Sequence, residues 1–233
     1  MTLKSIAFVL TAGLIVFGLA ACGMFDSTSS DNGSTHGLPH RDMSEYALDD
    51  DHRFYALSME DAVDLVKEDG FNGIVVFAFA ACPWCQSAIP VLDEVARATD
   101  VDVFYIDRSR DLRTDEWLEY DAAMAWWLNE QVELGWIDAE FRAMTHPEAG
   151  EPFRPNISVP HLFHIRNGLV VDSHRSTFEG HDRIEDEDGD LFLPEMTVEE
   201  RSALVGEYTR ILSNLMVFEP CDLDPDPDDS GCS

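Results

Sequence analysis

Positive charge is what this chain has least of. Its 233 residues carry 15 Lys and Arg against 46 Asp and Glu, a formal net charge of −31. Nucleic-acid binding needs clustered cations that release counterions from phosphates, so that class is excluded. Attachment to anionic lipid by surface charge is excluded for the same reason. Long apolar runs are also scarce: beyond Ala20 no stretch is long and apolar enough to span a bilayer. Internal repeats are absent. The hydrophobic fraction, 45%, is nonetheless ordinary, which excludes global disorder, and the length suits about one domain with appendages.

The one long apolar run, residues 6–20, follows Lys4 and has the length of a secretory h-region. It ends in Leu19-Ala20-Ala21-Cys22, which resembles the bacterial lipobox. The resemblance implies cleavage before Cys22 and acylation of its sulfur. Residues 1–21 are then a signal peptide, and the mature chain is lipid-anchored to the cell membrane on its extracytoplasmic face. Residues 22–52, rich in Ser, Gly, Asp and Thr, are expected to form a flexible tether. His36, His40 and His52 lie in it and read as solvated side chains without a role. Export permits disulfides, and Cys82, Cys85, Cys221 and Cys232 remain, an even number. Cys221 and Cys232 are expected to pair across the acidic tail, residues 217–233.

Local patterns divide residues 53–216. A short strand over 53–57 precedes Ser58 and Asp61, a carboxylate variant of the capping box, and a helix that stops at Gly70. Residues 74–79 are continuously apolar, as suits a strand buried on both faces. Cys82-Pro83-Trp84-Cys85 follows, with Pro83 fit for a first helical turn and a helix to about Ala98, kinked at Pro90. Residues 101–106 form another central strand. Residues 114–155, with Trp117, Trp126, Trp127 and Trp136, suggest one long helix and a shorter one. Asn167-Gly168 between apolar runs predicts a hairpin of 161–166 with 169–171. After an acidic loop, 182–195, the capping box Thr197-Val198-Glu199-Glu200 opens a last helix through about Met216. Alternating β and α units ask for parallel strands, and the hairpin adds antiparallel edges.

Only a thiolate attacks a disulfide, and a free cysteine is mostly protonated at neutral pH. A helix N-terminus aims unsatisfied backbone N–H groups and a positive dipole end at the sulfur. Cys82, at an exposed helix start, is therefore the expected nucleophile, and Cys85, one turn inside, the resolving thiol. A purely structural Cys82–Cys85 disulfide would close a tiny loop and gain little. A zinc site lacks a second ligand pair, because Cys221 and Cys232 are wrongly spaced. The acidic loop places Ile184 where the first ligand of a calcium loop should stand. His161 and His164, three apart on a strand, face opposite sides, and His161 reads as a strand residue. No metal or cofactor is called for.

Residues 53–216 resemble the thioredoxin superfamily. Within it, the run Phe79-Ala80-Ala81-Cys82-Pro83-Trp84-Cys85, with Ser158-Val159-Pro160-His161-Leu162 and the Asn167-Gly168 turn, is similar to thioredoxin-like proteins of the bacteriocin-transport-accessory type. The resemblance implies an α/β thioredoxin fold, a central mixed sheet flanked by helices, with an enlarged helical insert at about 114–155. It implies that Pro160 is a cis-proline facing the dithiol and that the Val159 backbone pairs with an incoming cysteine peptide. Pro83 and Trp84 complete that client-binding surface. The buried aspartate that thioredoxins carry six residues before the first cysteine is replaced by Val76. The expected function is thiol–disulfide exchange on exported cysteine-containing proteins or a membrane redox partner. The alternative is a non-catalytic docking protein of a secretion or bacteriocin-export system.

Overall fold

The computed structural model describes residues 37–68, 70–137, 144–145, 154–155, 157–178 and 180–215. The expected signal peptide, Cys22, His36, the expected Cys221–Cys232 disulfide and the acidic tail lie outside these residues.

The elements follow in chain order: β1 (Phe54–Ala56), α1 (Met59–Leu65), β2 (Asn72–Ala78), α2 (Pro83–Thr99), β3 (Val103–Asp107), α3 (Asp115–Glu133), β4 (Met144–Thr145), β5 (Arg154–Pro155), β6 (His161–Arg166), β7 (Leu169–Arg175), β8 (Ile184–Glu185), β9 (Leu191–Phe192) and α4 (Val198–Asn214). Five strands make one sheet in the order β1-β3-β2-β6-β7. β1 and β2 both run parallel to β3, β6 is antiparallel to β2, and β7 is antiparallel to β6. With helices on both faces, this is the thioredoxin fold.

Alternation along the strands builds two apolar layers, one on each face. Ile74, Val76 and Ala78 of β2, Val103 and Tyr105 of β3 and Leu162 of β6 turn towards α2 and α4. Val75, Phe77, Phe104, Ile106, Phe163 and Ile165 turn towards α1 and α3. β2 is central and buried from Gly73 to Ala78, as its unbroken apolar run requires. α2 continues through Pro90 to Thr99. The side chains of Ser58, Thr114 and Thr197 cap α1, α3 and α4, and Thr197 forms a full capping box with Glu200. The β6–β7 turn places Asn167 (φ 49°) and Gly168 (φ 76°) in the left-handed region, which a two-residue hairpin turn demands.

Three expectations are corrected. First, the ordered domain starts before Arg53. Met43 and Tyr46 are buried in the α2-side layer, and residues Ser44–Tyr46 form a 3-10 turn. Arg41 and Ala56 donate backbone hydrogen bonds to Phe54 and Pro39 across this segment. His52 is buried, so it is not a solvated tether residue; His40 is exposed, but its ring stacks on that of His52 at 4.2 Å. Polar composition hid the two apolar anchors. Second, the first part of the supposed insert, Asp115–Glu133, is the crossover helix between β3 and β6: α3 packs against α1 and covers the sheet. Third, among the described residues of the stretch expected to hold a second, shorter helix, Met144–Thr145 and Arg154–Pro155 are strands, β4 antiparallel to β5. Smaller differences follow: α1 ends at Leu65, and β7 extends to Arg175.

Candidate functional site

The two cysteines stand where β2 hands the chain to α2. β2 ends at Ala78, and the backbone N–H of Cys82 closes a tight turn onto the Phe79 carbonyl at 3.1 Å. Cys82 is the N-cap of α2, with extended backbone (φ −85°, ψ 117°), and Pro83 opens the helix. Cys82 Sγ thereby accepts the Cys85 backbone N–H at 3.4 Å. That is an unsatisfied helix-start donor turned on a sulfur. Both thiols are free.

The environment splits the pair. Cys82 is drawn from an ordinary 9.0 down to about 7, first by the hydrogen bond from the Cys85 thiol, then against burial by the backbone N–H groups of Cys85 and Trp84 and by Arg183. Cys85 is pushed far up, by its hydrogen bond to Cys82, by burial, and by the negative charges of Cys82 and Asp107. Cys82 is thus the thiolate former. Its predicted exposure is a correction: it is 4% exposed against 0% for Cys85.

What covers Cys82 comes from far along the chain. The Val159–Pro160 peptide is cis, and the Cys82 thiol donates to the Val159 carbonyl at 3.8 Å. The Pro160 carbonyl in turn accepts the Ser176 N–H at 2.9 Å, where the chain leaves β7. Residues 176–178 and 180–183 then form a strap beside Trp84. His174 Nε2 meets the Thr177 carbonyl at 2.9 Å, the Trp84 indole N–H donates to the His181 carbonyl at 3.3 Å, and His181 Nδ1 faces Glu200 Oε1 at 3.5 Å. The Arg183 guanidinium lies over the Trp84 ring, 4.7 Å from its centroid. Trp84 therefore packs against this strap, not against α3.

Behind Cys85, Val76 faces Tyr105 in the β2–β3 register. The Tyr105 hydroxyl meets that of Tyr46 at 2.8 Å, and the Arg41 guanidinium sits 4.1 Å over the Tyr105 ring. Arg41 also donates to Asp107 at 3.0 Å. The Gln86 side chain donates to the Glu45 carbonyl at 3.2 Å, which docks the 44–46 turn on the first turn of α2. Burial raises both tyrosines above their ordinary value. These groups occupy the place where the sequence shows only the replacement at Val76.

Other candidates lie apart from the dithiol. His161 is buried and held neutral chiefly by desolvation, its ring stacked 3.9 Å from that of Phe163. His164 is lowered to about 4, first by burial, and its Nε2 meets Asn72 Oδ1 at 3.0 Å. The two point to opposite faces. The acidic loop is a short ribbon, β8 with β9, whose Asp186 carboxylate caps the backbone N–H groups of Asp188 and Asp190 at 2.9 Å each. Among the described residues, no group of three or more His, Cys, Asp or Glu could hold a metal ion. Sequence reasoning missed the strap, with His181 and Arg183, and the Tyr46–Tyr105 pair. A cation at the mouth of an acidic loop, and the apolar Met43 and Tyr46 within a polar stretch, were the available signals.

No family model and no curated protein matches the chain. Among solved structures, thioredoxin f2 of Chlamydomonas reinhardtii is similar at 13% identity, over 52% of this chain and 82% of that one, with a TM-score of 0.29. The thioredoxin of Aeropyrum pernix is similar at 17% identity, over 52% and 73%, with a TM-score of 0.30. The fold is read from this chain's own strand order and direction, not from likenesses of this size.

Proposed function

We propose that this chain is a thiol–disulfide oxidoreductase, anchored through acylated Cys22 to the extracytoplasmic face of the cell membrane. It acts there on exported cysteine-containing proteins or on a membrane redox partner. One observation carries the redox reading: two free thiols one helical turn apart, with the outer lowered to about 7 and the inner raised. The Cys82 thiolate attacks one sulfur of a client disulfide. That bond breaks, and the departing client sulfur takes a proton. Cys85 then gives up its proton and attacks Cys82 Sγ, releasing the second client sulfur. The client gains two electrons and two protons, and Cys82–Cys85 becomes the disulfide. Run in reverse, the same steps oxidise a client. The Val159 backbone beside Cys82 and the half-buried Trp84 are the groups a client cysteine peptide would meet.

A disulfide-exchange assay on the reduced chain tests this. Turnover should vanish in Cys82→Ser, and Cys85→Ala should accumulate mixed disulfides through Cys82. Exposure of Trp126 and Trp136 favours a second reading, a docking module of a secretion or bacteriocin-export system. Such a module would keep its function in Cys82→Ser.

A further inference from the structure

In a chain of net charge −31, cations are spent on carboxylates. Arg41, Arg53, Arg97, Arg108, Arg201 and Arg210 each hold at least one. Arg183, like Arg113 and Arg175, holds none, and of these three it is the one beside the dithiol. Although Asp182, Glu185 and Asp186 adjoin it in sequence, it has no ion-pair partner among the described residues. In the acidic ribbon that follows, Asp186 Oδ1 is turned on the Asp188 and Asp190 backbone N–H groups. Arg183 is exposed, and its guanidinium carbon lies 4.7 Å from the centroid of the Trp84 ring, beside the second cysteine of the motif. A cation–π contact uses none of the guanidinium N–H donors, which stay open to a bidentate acceptor. Trp84 is itself fixed by the His181 carbonyl, so the cation is held in place beside the nucleophile.

We propose that Arg183 is an anion-recognition point that draws disulfides flanked by carboxylates to Cys82. The inference rests on Cys82 being the nucleophile. The surface as a whole repels an acidic client, but at physiological salt that field decays over about 8 Å. Of the charged groups outside the dithiol, Arg183 is the one whose field acts on the Cys82 sulfur in the direction that favours an anion there. The same cation helps hold the Cys82 thiolate, so it acts on nucleophile and client together.

The test uses the reduced full chain and three small disulfides: dianionic 5,5′-dithiobis(2-nitrobenzoate), neutral 2,2′-dithiodipyridine and cationic cystamine. For each probe the Cys82 reaction rate of Arg183→Gln is divided by that of the unsubstituted chain, which removes intrinsic reactivity. The expected result is a loss of about fivefold more for the anionic than for the neutral probe at low salt, the scale of one exposed ion pair. The extra loss should disappear near about 1 M salt, where the screening length falls to about 3 Å. Arg183→Lys should recover part of it. Equal losses for all three probes would reduce Arg183 to a thiol-tuning residue and overturn the proposal, as would no loss at all. An unsubstituted Cys82 inert to every probe would instead overturn the oxidoreductase reading beneath it.

Discussion

The opposite shifts of two neighbouring sulfurs can be read in two independent ways. Alkylation of the reduced chain should label Cys82 along a pH profile with its midpoint near 7, while Cys85 stays unlabelled. Preferential labelling of Cys85 would reverse the roles. Stability gives the second reading through proton linkage. Cys82 titrates lower when folded than when unfolded, so its contribution is complete above the unfolded value and disappears as pH falls through about 7. Cys85 titrates higher when folded, so its contribution is complete below the unfolded value and declines as pH rises past it. Urea unfolding of the reduced chain, compared with the double Cys→Ser variant, should show a relative stability maximum near pH 9. Both cysteines were legible in the sequence because strand, motif and helix start are contiguous. Arg183 and Tyr46 were not, because each acquires its meaning from a partner about a hundred or about sixty residues away, Trp84 and Tyr105.

At the scale of elements, what could be read early was what the chain specifies locally. Side-chain caps at Ser58 and Thr197, the Asn167-Gly168 turn and the buried run of β2 each depend on a few adjacent residues. Thr197→Ala removes one half of a capping box and should cost about 1 kcal/mol in denaturant unfolding. A neutral result would mean α4 is held by its packing on α2 alone. The stretch 114–155 was misjudged for the opposite reason. α3 has helical spacing, yet its identity as the crossover helix follows from which strand comes next, and the two-residue strands β4 and β5 are too short to show a strand alternation. Tryptophan content did not separate core from surface: Trp127 is buried with its N–H on the Gly168 carbonyl, while Trp126, one residue earlier, faces outward.

Across the whole molecule, charge and the N-terminal segment have the widest reach. A net charge of −31 strains any compact state by self-repulsion, so added NaCl should raise the melting temperature until screening is complete. A fall with salt would show that the surface ion pairs outweigh the repulsion. The docked segment before β1 makes a sharper claim. Met43→Ala empties a fully buried site in the α2-side layer and should cost about 2–5 kcal/mol, as a core truncation does. A change within a few tenths would return residues 37–52 to the tether. Mass spectrometry of the membrane fraction should find the mature chain beginning at an acylated Cys22, and Cys22→Ala should release it.

The position of β2 has a consequence for how the molecule opens. It is hydrogen-bonded on both sides and covered on both faces, so its amides should exchange with deuterated water only through global unfolding. Among the described residues the strap against Trp84 has no strand partner and is held by a few single hydrogen bonds. Its amides should exchange through a small local opening, orders of magnitude sooner. Cys82 follows β2 by four residues, and Trp84, two residues further on, packs against that strap. The surface beside the sulfur thus opens first, while the strand that leads to it opens last and keeps the sulfur in place.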